Sequence, residues 1–234
     1  MPAPFIVEQA ESLIKHGIEI EYFTIQGKGF RGYLTNYKKY VDKLKQSKFD
    51  LVHAHYGLAA LLAVLQRNVP VIITLHGSDV NMKRNRKFSQ LAYILSAKTI
   101  IVSDSMKKII RAKHARVIPC GVDLELFKPR KENIKPDFVK TELRKINILF
   151  ASQFDEPVKN YPLAKKAVNL LNDKDIQLIE LKDYNRNQVV SLMNFVNVCI
   201  LTSFSEGSPQ FIKEAMACNR PIVSVDVGDV KNKE

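Results

Sequence analysis

The sequence predicts an α/β protein of two domains, each a parallel sheet with helices on both faces. Three observations predict it. Short strand-like runs and amphipathic helical runs alternate along most of the chain, the pattern of parallel crossover units. The strand-like runs are short and β-branched, as at residues 70–75, like strands buried on both faces. The alternation breaks once, from Cys120-Gly121-Val122-Asp123 to about residue 144, where Pro129, Pro136 and many charges intervene, as between domains. The expected division is a first domain over 1–122, a connection over 123–144 and a second domain over 145–234.

In order, Ile6, Ala10, Leu13 and Ile14 recur at the spacing of a helix with one buried face, and His16-Gly17 is a C-cap pair. Residues 18–24 alternate like a strand. Gln26-Gly27-Lys28-Gly29-Phe30-Arg31-Gly32 is basic and glycine-rich. It lacks the strand-to-helix setting of a dinucleotide fingerprint and is expected to be a flexible loop. Tyr37, Tyr40, Val41 and Leu44 mark a helix. Strand 49–54, helix 58–66 and strand 70–75 follow. A helix through Phe88, Leu91, Ala92 and Leu95 leads to strand 99–102. A helix through Met106, Ile109 and Ile110 then leads to strand 116–119.

Alternation restarts with strand 146–151. Asn160 is expected to cap a helix that turns Leu163, Ala167, Leu170 and Leu171 inward. Strand 176–181, a helix through Val189, Leu192 and Met193, and strand 196–201 lead to a second helix start, and 221–225 is a further strand. The chain has no internal repeat and no low-complexity segment.

Composition bounds the function. Of 234 residues, 46% are apolar and 26% charged, ordinary for a chain that buries a core. No apolar run approaches the roughly 18 residues of a membrane span, and Met1-Pro2-Ala3-Pro4 does not open a secretory signal. Cys120, Cys199 and Cys218 have no metal-like spacing and cannot all pair, so the cytosol is the expected compartment. The net charge of +12 suits nucleic acid, an anionic membrane surface or a phosphorylated ligand. No compact Lys/Arg run alternates with aromatics, which sets nucleic acid aside and leaves two readings, an ordinary solvated surface with excess lysine and a basic face resting on lipid headgroups.

Two stretches carry the chemistry. Thr74-Leu75-His76-Gly77-Ser78-Asp79 follows a strand, where ligands of open α/β sheets bind. His53 and His55, two apart at another strand end, share a face, but no third ligand accompanies them, so no metal is expected. The second stretch is Ser205-Glu206-Gly207-Ser208-Pro209-Gln210-Phe211-Ile212-Lys213-Glu214. Ser208 suits an N-cap and Pro209 a first helical residue, leaving the amides of Gln210 and Phe211 facing an anion. Glu214, among Ile212, Ala215, Met216 and Ala217, needs a partner: a basic side chain, or the hydroxyls of a sugar or ribose.

Glu206 and Glu214 within SEGSPQFIKEAMACNRPIV resemble the paired-glutamate signature of family 4 glycosyltransferases. His76-Gly77-Ser78-Asp79 is similar to that family's active-site histidine motif, and Gly121-Val122-Asp123 to its domain-boundary motif. The resemblance implies a GT-B fold: two Rossmann-like domains, acceptor on the first and donor on the second. It implies a retaining, hexosyltransferase-type enzyme that needs no metal or other cofactor. His76 would contact the donor sugar and Asp79 orient nearby groups or meet the acceptor. Glu206 would hold donor-sugar hydroxyls and Glu214 the ribose, while Lys159 and the amides after Ser208 hold the diphosphate. Gln153 stands where an arginine is usual in that family. Relative to the family pattern, a first strand and the end of the second domain are expected to be missing. The expected reaction moves a sugar from a nucleoside diphosphate sugar to a saccharide or lipid-linked acceptor, in cell-surface polysaccharide assembly at the inner membrane face. The alternatives are a non-catalytic nucleotide-sugar-binding relative and a GT-B epimerase of sugar nucleotides.

Overall fold

The computed structural model describes residues 2–27, 29–130, 135–139 and 146–233, and it divides into two compact units, Met1–Cys120 and Gly121–Glu234. The first unit opens with α1 (Pro4–Lys15), whose proline occupies a first-turn position that has no use for its missing N–H. α2 (Gly29–Gln46) follows an extended segment. Then come β1 (Val52–His55), α3 (Gly57–Val64), β2 (Val71–Leu75), α4 (Ser78–Asn81), α5 (Lys83–Leu95), β3 (Lys98–Ile101), α6 (Asp104–Ile110) and β4 (Arg116–Val117). The strands pair in parallel in the order β1-β2-β3-β4. Ile73, Leu75 and Ile101 of the sheet and Ala60, Ala92 and Met106 of the helices are fully buried. A Cβ at Gly57 would overlap the Ser89 hydroxyl, so glycine is what lets α3 lie against α5.

The second unit contains β5 (Ile146–Phe150), α7 (Tyr161–Leu170), β6 (Ile176–Glu180), α8 (Arg186–Phe195), β7 (Val198–Leu201), α9 (Gln210–Ala217) and β8 (Ile222–Ser224). Its sheet is also parallel, ordered β6-β5-β7-β8. From β5 the chain steps to one side for β6 and then to the other for β7. The carboxyl ends of β5 and β7 are therefore a topological switch point, the position outside which open α/β sheets bind ligands. α8 starts at a capping box in which the Asn185 side chain accepts the Gln188 amide and the Gln188 side chain accepts the Asn185 amide. Phe127 and Val139, from the proline-rich stretch, are buried in the core with Leu149, Leu192 and Leu201. Residues 140–144 of that stretch lie outside the described residues.

Four local expectations are corrected. Residues 18–24 form no strand: Phe23 and Ile25 pack on the core, but the backbone joins no ladder. The alternating residues are not even the buried ones: Ile18 and Tyr22 are 49 and 45% exposed, while Phe23, out of phase with them, packs inward. The glycine-rich stretch is only partly a loop, because α2 begins at Gly29; Lys28 lies outside the described residues. The Asn36 amide ties the turn down by donating to the carbonyls of Gln26 (2.7 Å) and Gly32 (2.5 Å). α7 turns its other face inward. Leu163, Leu170 and Leu171 are 41, 76 and 60% exposed, while Ala164 is fully buried with Tyr161 and Val168 beside it. A small residue at the contact lets the helix lie close to the sheet, and Asn160 precedes it in a left-handed conformation without a side-chain cap. Finally, Pro209 holds the cap position of α9 and the helix starts at Gln210, so the Ser208 hydroxyl does not cap it.

Candidate functional site

In the first unit, His76 follows β2 directly. Asp79, in the first turn of α4 and 4% exposed, turns back on it. Its carboxylate accepts the His76 amide at 3.1 and 3.3 Å and the Gly77 amide at 2.8 Å. Burial raises the Asp79 carboxyl above its ordinary range, and the amides of Gly77 and His76 oppose that rise. Asp79 thus shapes the turn that presents His76.

The His76 ring is held on both nitrogens. Nε2 lies 3.0 Å from His55 Nδ1, and Nδ1 lies 3.7 Å from Cys120 Sγ. The Phe5 and Tyr56 rings stand 4.8 and 4.9 Å from it, centroid to centroid. His53 binds Thr74 Oγ1 at 2.8 Å and packs 4.3 Å from the His55 ring. Burial, helped by the neighbouring imidazoles of His53 and His76, pushes His55 down to about 3, and burial lowers His53 as well. Both are neutral near pH 7. A neutral imidazole offers one N–H and one acceptor, so His55 can fix which His76 nitrogen carries a proton. Among the described residues no group of three or more His, Cys, Asp or Glu is arranged to hold a metal ion.

In the second unit, the loops after β5 and β7 meet at the switch point. Lys159 ends a short 3-10 turn (Pro157–Lys159), and Glu206 lies in the loop before α9. Lys159 Nζ donates to Glu206 Oε1 at 2.7 Å, and Ser203 Oγ donates to the same oxygen at 2.7 Å. The pair is mostly shielded, with side chains 24 and 14% exposed. Gly207 is buried, and its carbonyl would be 2.7 Å from a Cβ at Gly228, where φ is +63°. The Ser208 hydroxyl donates to Asp229 Oδ2 at 2.8 Å and so fastens the loop from below. Gln210 donates to the Gly121 carbonyl at 2.6 Å, while Phe211 turns its side chain into the core. Of Phe211, therefore, only the backbone amide belongs to the helix entrance. Gln153 is half-buried in the loop after β5.

Glu214 is 3% exposed, and Arg186 Nη2 donates to its Oε1 at 2.6 Å. The Arg186 guanidinium lies 4.5 Å over the Phe127 ring. The basic partner that Glu214 required is thus present, and Arg186 sets the direction of its carboxylate. Arg186, Ser203 and Asp229 are the residues that sequence reading missed. Arg186 and Asp229 lie 28 and 21 residues from their partners and belong to no spaced motif. The signal for Arg186 was indirect: a carboxylate in an apolar helix turn demands a cation from somewhere.

The arrangement can grip an anion and a set of hydroxyls side by side. One ammonium, a helix entrance and two oriented carboxylates occupy the switch point of a parallel sheet. The model of Glycosyltransferase Family 4 matches residues 5–126, just over half of the chain. An uncharacterised glycosyltransferase of Methanocaldococcus jannaschii is 28% identical over 86% of this chain and 64% of its own length. A Bacillus subtilis protein named as a teichuronic acid biosynthesis glycosyltransferase is 26% identical over 78% of this chain and 54% of its own. The chain thus spans less than two thirds of the length of these relatives. Among solved structures, sucrose-phosphate synthase of Thermosynechococcus elongatus superposes with a TM-score of 0.68 at 16% identity, over 90% of this chain and 64% of that one. Anabaena HepE, solved with UDP and glucose, gives 0.65 at 20% identity, over 95% and 72%. At these identities the likeness shows the fold, which is that of GT-B glycosyltransferases.

Proposed function

Since the chain belongs to glycosyltransferase family 4, we propose that it moves a sugar from a nucleoside diphosphate sugar to a saccharide or lipid-linked acceptor, with retention of configuration. The observation that carries the reading is the meeting of Lys159 and Glu206 beside the entrance of α9. The sugar and its phosphate are joined by a single bond, so groups for each must be neighbours. Lys159 and the first amides of α9 meet the diphosphate, Glu206 the sugar hydroxyls and Glu214 the ribose. HepE, solved with UDP-glucose, is a structural neighbour with such a ligand.

When the bond from the sugar to the diphosphate breaks, negative charge grows on the departing oxygen. Fixed positive groups in a shielded site stabilise that charge without reorganising. Retention places the new bond on the face that the diphosphate leaves, and the acceptor hydroxyl gives its proton to the departing diphosphate. His76, its ring held by His55 and Cys120, contacts the sugar near the reacting carbon. This reading needs no metal, so EDTA leaves turnover unchanged. The acceptor is assigned to cell-surface polysaccharide assembly and the work to the inner membrane face, which the +12 charge suits. Among the described residues no helix is long and apolar enough to cross a membrane.

The test is release of UDP from UDP-glucose in the presence of an acceptor panel. Lys159→Ala is expected to lower kcat by about 10²–10³-fold, the usual effect of removing one charge-stabilising donor. Unchanged turnover in Lys159→Ala or Glu214→Ala would sink the donor-site assignment. Gln153, neutral where the family places an arginine, favours a second reading, a relative that binds nucleotide sugar without turning it over. That reading predicts UDP-glucose binding with no release of UDP on any acceptor.

A further inference from the structure

Tyr56 joins β1 to α3 with φ 69° and ψ 148°. A positive φ with an extended ψ is a region that glycine occupies freely and a bulky side chain does not. Asn160, Asn172, Asp183 and Asn219 also have positive φ, but asparagine and aspartate tolerate it. Arg111, with ψ 35°, sits in the ordinary left-handed well. Tyr56 has neither excuse. Its backbone is pinned from both sides: its amide donates to the Thr74 carbonyl at 3.0 Å, and its carbonyl accepts the Ala60 amide at 2.8 Å. The next residue, Gly57, lies against Ser89, so α3 cannot shift to relieve the turn.

A glycine at 56 would make the same turn without strain. What the tyrosine adds is a ring, and among the described residues that ring takes no part in the packed core. It is half-buried and is absent from the cluster of residues that packs the sheet of its unit. Its neighbour is instead His76, at 4.9 Å between centroids and tilted by 50°. Strain that packing does not repay collects at functional sites.

We infer that the Tyr56 ring is a sugar-contacting wall of the site around His76: its apolar face receives the C–H face of a pyranose, and its hydroxyl meets the ring hydroxyls. Aromatic faces with a few placed polar groups are the usual lining of such pockets. The inference rests on the transferase reading, and the pyranose belongs either to the acceptor or to the transferred sugar.

The test uses Tyr56→Gly, Tyr56→Ala and Tyr56→Phe in the full chain, with thermal unfolding and calorimetric titration of UDP, UDP-glucose and octyl β-glucoside. Glycine normally destabilises relative to alanine; here Tyr56→Gly is expected to melt above Tyr56→Ala, because both lack the ring and only glycine escapes the strain. Both variants are expected to keep UDP affinity and to lose about tenfold for a pyranose probe, the scale of one missing side-chain contact. A loss for octyl β-glucoside marks the acceptor sugar, and a loss for UDP-glucose but not UDP marks the transferred sugar. Tyr56→Phe keeps the ring face and stays within about threefold of the parent. Alanine melting at or above glycine overturns the strain argument, and pyranose affinities equal across all variants overturn the sugar contact. A parent chain that binds a pyranose probe but not UDP defeats the donor-site reading and leaves Tyr56 to be judged on the variants. One that binds none of the three probes defeats both.

Discussion

Individual residues show how a buried carboxylate finds its partner inside this fold. Glu214 was recognisable in the sequence as a group in need of a partner, because a helix turn of Ile212, Ala215 and Met216 offers none. Its partner was not recognisable, because Arg186 reaches it from another helix across 28 residues. Removing one member of a buried pair strands the other. Arg186→Met is therefore expected to cost about 3 kcal/mol in urea unfolding, and adding Glu214→Gln to recover much of it. If the double variant is no more stable than the single, the two groups are not coupled. His55 gives a prediction in pH. The folded chain refuses its proton down to about 3, whereas the unfolded chain accepts one near 6.5. Below 6.5 the unfolded state binds more protons, so stability falls as pH drops from 6.5 toward 3. His55→Asn should flatten the decline in melting temperature between pH 7 and 5.

Elements were legible where one face of a periodic run had a single plausible partner. β2 read as a strand buried on both faces and is buried along nearly its whole length. α7 was not so legible, because leucines lie on more than one side of it, and periodicity alone cannot say which face meets the sheet; the sheet took the side with Ala164. Residues 18–24 failed for a related reason: alternation is a property of side chains, while a strand also needs a paired backbone. The loop before α9 depends on a contact that no local pattern reveals, Gly228 against the Gly207 carbonyl. A methyl there would meet that carbonyl at 2.7 Å on a backbone with φ +63°. Gly228→Ala is expected to displace the Glu206 loop and weaken UDP-glucose binding about tenfold or more, while Gly17→Ala, with open space around it, leaves binding unchanged. Equal affinities for the two variants would show that the loop tolerates the shift.

At the scale of the molecule, the division of labour itself can be measured. Every group assigned to the nucleotide and its phosphates, Lys159, the α9 entrance and Glu214, lies in the unit Gly121–Glu234, on loops after β5 and β7 or on α9. The histidine cluster lies in Met1–Cys120, with His53 and His55 on β1 and His76 directly after β2. A ligand bound only by the folded state stabilises it, by about 2.7 kcal/mol at a hundredfold excess over Kd. The amides it orders should exchange more slowly in proportion to how directly they are held. UDP lacks the sugar, so it is expected to slow exchange at residues 152–160 and 202–211 and to leave residues 53–57 and 75–79 near their rates in the free chain. UDP-glucose should protect the first set at least as well, and any added protection at 53–57 and 75–79 belongs to the sugar. High salt should weaken both effects, since a chain of net charge +12 attracts a diphosphate over the distance that salt screens. Protection by UDP confined to 53–57 and 75–79 would reverse the assignment and make the histidine cluster the nucleotide site.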